Sequence, residues 1–171
     1  MLESALYFVV IVTASAVIGV LFMKLWHRHL GTYGFKRKTL MTANEKDFYW
    51  RLRKALGPAW VVFPQVSMGA LMDTCLTPRH PRYWDVRSQF AQKICDFVIC
   101  DAKTITPCLV VELDDRMHDF ERDRKRDGLM ALAGYRTVRF WSRAKPNVED
   151  LKKIMEKELA IEKLTLSKPA N

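Results

Sequence analysis

The chain has no two cysteines at a C-x-x-C spacing, almost no charge in its first 26 residues, and no internal repeat. Each absence narrows what the protein can be. Four cysteines without metal-site spacing (Cys75, Cys95, Cys100, Cys108) argue against a structural zinc site. Three of them fall in or beside short apolar runs, where a reduced thiol acts as a small hydrophobe, which suits a reducing compartment. The lack of a repeat sets aside a solenoid or an array. The N-terminus carries Glu3 where a secretory signal would carry basic residues, and the one small-residue triplet, Ala14-Ser15-Ala16, sits in mid-run with apolar residues continuing beyond it.

What the N-terminus does have is an apolar run from Ala5 to Leu25, broken only by Thr13, Ser15, Gly19 and Lys24. Spanning a bilayer takes roughly 20 such residues, so residues 1–26 read as an uncleaved transmembrane anchor. Lys24 can snorkel and Trp26 can sit at the interface. Beyond the run come Lys24, Arg28, Lys36, Arg37 and Lys38, with His27 and His29. By the positive-inside rule the C-terminal side is expected to be cytoplasmic. Residues 27–40 read as a basic juxtamembrane linker that meets anionic headgroups.

The rest of the 171-residue chain has room for one domain, expected over residues 41–164, with 165–171 as a flexible tail. Lys and Arg total 28 against 19 Asp and Glu, for a formal charge of +9, and this excess lies outside the anchor. Such a domain favours a polyanionic partner, nucleic acid or an anionic membrane surface. Thr42-Ala43-Asn44-Glu45 has the form of a capping box that opens a helix, which Gly57-Pro58 ends. Trp60 to Val66 reads as a strand. Gly69 to Cys75 suits a short helix, followed by a loop rich in Pro, Arg and aromatics from Pro78 to Arg87. Ile94 to Asp101 and Cys108 to Asp115 read as buried strands, Arg116 to Ala133 as a helix, Tyr135 to Trp141 as a last strand, and Pro146 to Leu164 as a closing amphipathic helix. The first three strands can form an antiparallel meander, and the fourth, after a helical crossover, is expected to lie parallel to a central strand. The fold class is α/β: a mixed four-stranded sheet with flanking helices.

Two of these strands carry acids where a buried strand should carry none. A carboxylate is costly to desolvate unless a cation or hydrogen bonds compensate. Alternation puts Glu112 and Asp114 on one face, and pairing of the strands lets Asp96 converge on them. Three hard oxygen ligands at one point suit Mg²⁺ or Mn²⁺.

The element order, with Asp96 on the second strand and Glu112-x-Asp114 on the third, resembles the PD-(D/E)XK, or restriction-endonuclease-like, superfamily. In particular it resembles a bacterial branch related to the very-short-patch-repair endonucleases. The resemblance is carried by Thr42-x-x-Glu45, Gln65-Val66, Lys93-x-x-Asp96-Phe97, Glu112-Leu113-Asp114-Asp115 with His118, Arg122-Asp123, and Ala133-Gly134 with Arg139, over residues 40–142. It implies an αβββαβ core and a metal-dependent phosphodiesterase, probed through Asp96, Glu112 and Asp114 as metal ligands, with the Leu113 carbonyl as a further one. Glu45 would act through water or orient the nucleophile, and His118 would assist the chemistry. The superfamily's motif lysine is replaced here by Asp114, and Lys93, Arg122 and Lys125 are candidates for the missing charge. For the bacterial branch, the expected location is the inner (cytoplasmic) membrane, crossed once.

Plainer readings stand beside these. Asp96 and Glu112 could be neutralised by Arg139 or Arg122 in a structural network. Asp114 and Asp115 could cap the following helix, Glu45 is explained by the capping box, and His118 by an exposed helix start. Arg79, Arg82 and Arg87, with Tyr83 and Trp84, either contact nucleic acid by charge and stacking or cover the sheet edge. The functions in competition are a membrane-anchored nuclease acting on DNA, a catalytically degenerate nuclease fold that binds nucleic acid or a protein complex at the membrane, and a membrane assembly protein whose basic face meets lipid.

Overall fold

The computed structural model describes residues 2–32, 35–114 and 120–166, the side chains of residues 2, 29–32, 120–123 and 162–166 excepted. The chain divides into two compact units, Met1–Lys38 and Thr39–Asn171. The first is built on one helix, α1 (Leu2–Thr32). Within it, Glu3–Arg28 has a mean hydropathy of 2.5 and is long and apolar enough to cross a membrane. Its apolar residues lie on every side of the helix and are exposed, Tyr7, Phe8, Ile11, Ile18 and Phe22 among them. A stripe would mean a globular core on one side, and none is present. Thr13 and Ser15 return their hydroxyls to carbonyls one turn back, at 3.0 and 2.8 Å, so their polarity is satisfied within the helix.

The second unit opens with α2 (Ala43–Leu56), and its capping box forms as the sequence implies. The Thr42 hydroxyl accepts from the Glu45 N–H at 3.2 Å, and the Glu45 carboxylate accepts from the Thr42 N–H at 2.6 Å. The helix stops at Gly57, whose φ of +68° is open to glycine and strained for other residues. There follow β1 (Trp60–Ser67), α3 (Met68–Leu71), α4 (Tyr83–Ser88), β2 (Ile94–Asp101), β3 (Pro107–Asp114), α5 (Phe120–Leu132), β4 (Thr137–Trp141), a 3₁₀ turn at Ser142–Ala144, and α6 (Val148–Leu166). The strands lie in the order β1-β2-β3-β4. β1–β2 and β2–β3 are antiparallel, and β4 returns through α5 to run parallel to β3. The mixed four-stranded sheet with flanking helices is therefore the fold.

The sheet is covered on both faces, which explains why β2 and β3 are apolar almost throughout. On one face Phe97, Ile99, Leu109, Val111 and Leu113 meet Phe48 and Leu52 of α2 and Leu151, Met155 and Leu159 of α6. Phe48 is the hub of that layer, with ring centroids 5.7 Å from Phe97 and 5.3 Å from Phe140. On the other face Val98, Cys100 and Val110 pack with Met68, Phe90 and Met130. The buried thiols of Cys95 and Cys100 are pushed up to about 12 and about 11, chiefly by burial, so they stay protonated and pack as hydrophobes.

Two local expectations need correction. The Pro-Arg-aromatic segment is not all loop: once past Pro81 the chain makes α4, anchored by the buried Tyr83 with Trp84 edge-on to it at 5.0 Å. Proline just before a first turn gives up an N–H that would have no partner there, so it permits this start. The helix expected over Gly69 to Cys75 is the single turn Met68–Leu71, capped by the Ser67 hydroxyl and ended before Asp73. The start of the expected Arg116 helix falls at residues 115–119, outside the described residues, and α5 is seen from Phe120.

Phe48→Ala should cost about 3–5 kcal/mol, since it empties the contact between α2 and two strands. Trp50→Ala, two residues on but exposed, should change stability by only about 0.5 kcal/mol. Denaturant unfolding of the full chain in detergent, followed by near-UV circular dichroism, checks both; equal costs would mean that Phe48 is not the hub.

Candidate functional site

The register of the sheet assembles the site. The β1–β2 ladder runs from Trp60↔Asp101 to Pro64↔Phe97 and resumes at Val66↔Cys95, leaving Gln65 and Asp96 opposite each other. The β2–β3 ladder ends at Phe97↔Val111, and one step further the same register sets Asp96 across from Glu112. Glu112 in turn pairs with Arg139 on β4. Gln65, Asp96, Glu112 and Arg139 thus form one polar row across all four strands. Apolar rows flank it: Pro64, Phe97, Val111 and Val138 on one side, and Val66, Cys95, Leu113 and Phe140 on the other.

Both ladders break at Asp96, and side chains take over the hydrogen bonds. The Leu113 N–H donates to Asp96 Oδ2 at 2.9 Å, so a carboxylate serves where a strand carbonyl would. Glu112 is only 3 % exposed. Each of the two carboxyl groups acts on the acidity of the other as a close neighbour. Burial is the main reason that Glu112 is pushed up to about 8; the neighbouring Asp96 charge adds to this, and the Arg126 guanidinium opposes it. Asp96 is raised too, first by burial and further by the Glu45 charge, although the Leu113 N–H pulls the other way.

Two helices complete the cluster. Glu45 comes from the first turn of α2, where the capping box holds Oε2 and Gln65 Nε2 donates to Oε1 at 2.9 Å. Gln65 itself has a φ of +56°, a left-handed conformation that costs a non-glycine residue on the order of 1–3 kcal/mol. From α5, Arg126 brings a guanidinium nitrogen to 3.4 Å from Glu112 Oε2.

Asp114 goes elsewhere. Both of its oxygens accept from Arg139 Nη1, at 2.8 and 2.9 Å, while the Nε and Nη2 of Arg139 donate to Asp127 at 3.1 and 2.7 Å. Burial works against the Arg139 charge, but those bonds outweigh it and raise the Arg139 pKa further, so the guanidinium keeps its charge. Among the described residues no group of three His, Cys, Asp or Glu side chains is set to hold a metal ion. The three-carboxylate set of Asp96, Glu112 and Asp114 is therefore split: the first two meet, and the third is tied to Arg139.

The remaining sequence candidates are spread out. Lys93 lies just ahead of β2, half-buried, with its carbonyl accepting from Met68 N at 2.8 Å. Arg79, Arg82 and Lys125 are exposed, and so is the ring of Trp84. Arg87 is paired with Asp73 at 2.7 Å. His118 and the Arg122 side chain lie outside the described residues. Sequence reasoning overlooked Gln65 and Arg126 as members of the site. Arg126 stands one helical turn from Arg122, so the α5 periodicity carried a signal; nothing in the local sequence announced the backbone of Gln65.

An α/β unit with a row of acids and amides where its ladders break, joined to a helix able to span a membrane, is the class of protein that these observations define. The family described as "Protein of unknown function (DUF2726)" matches residues 37–138, and the chain belongs to it. The matched segment contains Glu45, Gln65, Asp96, Glu112 and Arg126, and leaves α1 and α6 outside. Neither the curated proteins nor the solved structures gave a match to this chain.

The raised acid makes stability depend on pH. Between about 4.5, its ordinary value, and about 8, the folded chain keeps a proton on Glu112 that the unfolded chain has released. Stability from this group is greatest below that window and falls as pH rises through it. Glu112→Gln should therefore raise the melting temperature at pH 8 by several degrees, on the order of 2 kcal/mol, and by much less at pH 5. Thermal melts of the full chain in chelator at both pH values measure this, and a difference that is the same at both would contradict the raised pKa of Glu112.

Proposed function

We propose that the protein is a membrane-anchored, metal-dependent nuclease of the restriction-endonuclease-like type, acting on DNA from the cytoplasmic side of the membrane. The observation that carries this reading is the Asp96–Glu112 pair, Glu112 buried and Asp96 half-buried, where the β1–β2 ladder is interrupted and the β2–β3 ladder ends, with the Glu45 carboxylate held by Gln65. Structural acids are normally neutralised, as Asp114 and Asp127 are by Arg139. Asp96 and Glu112 are instead left beside each other, with Arg126 in an ion pair at 3.4 Å from Glu112 and Arg139 acting on it only through its field.

Hard oxygen donors in that state fit Mg²⁺ or Mn²⁺, since a dication replaces the proton and removes the repulsion. Asp96 and Glu112 would hold the ion, with the Leu113 carbonyl as a further donor. When bound, such an ion neutralises phosphate charge and lowers the pKa of bound water. The chain's own groups supply the rest. Glu45 accepts a hydrogen bond from the attacking water and sets its direction. Arg126 neutralises charge beside Glu112, but a guanidinium does not give up its proton, so it is no base. Asp114 stands where the motif lysine would and brings Arg139 to the same face, so a fixed cation replaces a titratable one. Arg79, Arg82 and Lys125 offer exposed charge to phosphates, and Trp84 a ring for an unstacked base. The basic segment after α1 supports the cytoplasmic orientation and a place at the bacterial inner membrane.

A second reading is favoured by the loss of Asp114 to Arg139: a degenerate nuclease fold that binds nucleic acid without cutting it. Plasmid nicking by the purified full chain in Mg²⁺ or Mn²⁺ separates the two. The nuclease predicts turnover that Asp96→Ala or Glu112→Ala lowers about 100-fold or more. Nicking that survives both substitutions removes these acids from the mechanism. Salt-sensitive binding with no turnover establishes the second reading.

A further inference from the structure

Gln65 is an unexpected residue for its backbone. A left-handed position on a strand ordinarily goes to glycine, or to asparagine, because other side chains are strained there. Here a long amide accepts that strain at φ +56°. A strained residue persists where its side chain is needed, and among the described residues this side chain serves Glu45: Nε2 donates to Glu45 Oε1 at 2.9 Å. The capping box does not require that bond. Helix capping is satisfied by Glu45 Oε2 on the Thr42 N–H and by the Thr42 hydroxyl on the Glu45 N–H. A glutamate that served only as a cap would leave Oε1 to solvent. Gln65 also stands opposite Asp96, at the interruption between Pro64↔Phe97 and Val66↔Cys95. The strain, the break in the ladder and the amide bond coincide at one residue, and they join α2 to the acid row.

We propose that Gln65 is a positioning residue, whose left-handed backbone at the break in the β1–β2 ladder turns its amide onto Glu45 and fixes that carboxylate beside the Asp96–Glu112 pair, where it acts through water and not as a third ligand. The assignment rests on the nuclease reading, because it gives Glu45 a task at a dication. With Oε2 committed to the cap and Oε1 to Gln65, Glu45 has one orientation. Its remaining lone pairs are then aimed by two elements, α2 and β1, in place of a free rotamer. An amide suits this role better than a cation would. It donates a hydrogen bond without neutralising the carboxylate, so the negative charge beside Asp96 is kept.

The test uses the full chain in detergent, with Gln65→Gly, Gln65→Glu, Glu45→Gln and the double variant Glu45→Gln/Gln65→Gly. Two quantities are measured: Mn²⁺ affinity by calorimetry, and melting temperature in chelator. Glycine removes the strain along with the amide, so Gln65→Gly should melt no lower than wild type yet bind Mn²⁺ about tenfold more weakly. Gln65→Glu, which repels Glu45, should weaken binding at least as much. If Gln65 acts through Glu45, the double variant should bind like Glu45→Gln alone. Full wild-type affinity in Gln65→Gly, a loss that merely follows a lowered melting temperature, or additive losses in the double variant would each overturn the assignment. A wild-type chain that binds no Mn²⁺ would overturn the nuclease reading and this assignment together, whereas Mn²⁺ binding indifferent to Gln65 overturns this assignment alone.

Discussion

Two carboxyl groups buried side by side cannot both ionise without a compensating cation, and the centre of this sheet is arranged around that constraint. Asp96 and Glu112 take adjacent places in the row that crosses all four strands, between two flanking rows that are apolar. Their backbones cannot continue both ladders there, so the Asp96 carboxylate takes the Leu113 N–H itself. The approach of the Arg126 guanidinium and the raised pKa values of both acids are further consequences of the same placement. Apolar residues of equal size would make a more stable sheet. Retaining the acids is therefore a cost in stability, and the proposed dication is what would offset it.

The same face shows how this fold neutralises an acid when only structure is at stake. Two residues along β3, Asp114 is held through both oxygens by Arg139, which also holds Asp127. That triad is settled: every strong donor of the guanidinium meets a carboxylate. Glu112 is more deeply buried than Asp114, yet its ion pair among the described residues is the longer one, 3.4 Å to Arg126. Charge is complete at one end of the row and incomplete one residue away. The contrast sets Asp96 and Glu112 apart as the unsettled pair, and it also explains why Asp114 does not join them.

Much of the fold was legible because it is written in local signals. The capping box at Thr42 and Glu45, the stop at Gly57, and the apolar runs of β2 and β3 each act over a few residues, and each formed where the pattern implied. The helical crossover before β4 selected parallel pairing, as right-handed crossovers do. What the sequence concealed depends on more distant partners. Alternation put Glu112 and Asp114 on one face, which is correct, but could not say that Arg139 would claim the second. A half-helical segment at Tyr83 was hidden by prolines that read as loop. Gln65 looked like an ordinary strand residue, because nothing in Pro64-Gln65-Val66 forces a positive φ; that conformation answers to Glu45, twenty residues away.

The exchange of the superfamily's motif lysine for Asp114 then has a definite chemical meaning within the proposed function. A lysine on β3 would be a titratable cation, able to take a proton from water when desolvated. Asp114 delivers charge of the same sign by recruiting Arg139, whose proton is locked in place by two carboxylates. On the proposed reading, positive charge beside a phosphate would survive the exchange, while the ability to accept a proton would not. Any base would then be a carboxylate of the row or a group on the α2 side, and of these Glu45 is the one fixed from two elements. The lysine's electrostatic part would pass to Arg139 and Arg126, and its part in orienting water to Glu45. On that division of labour, loss of the motif residue redistributes the chemistry rather than ending it.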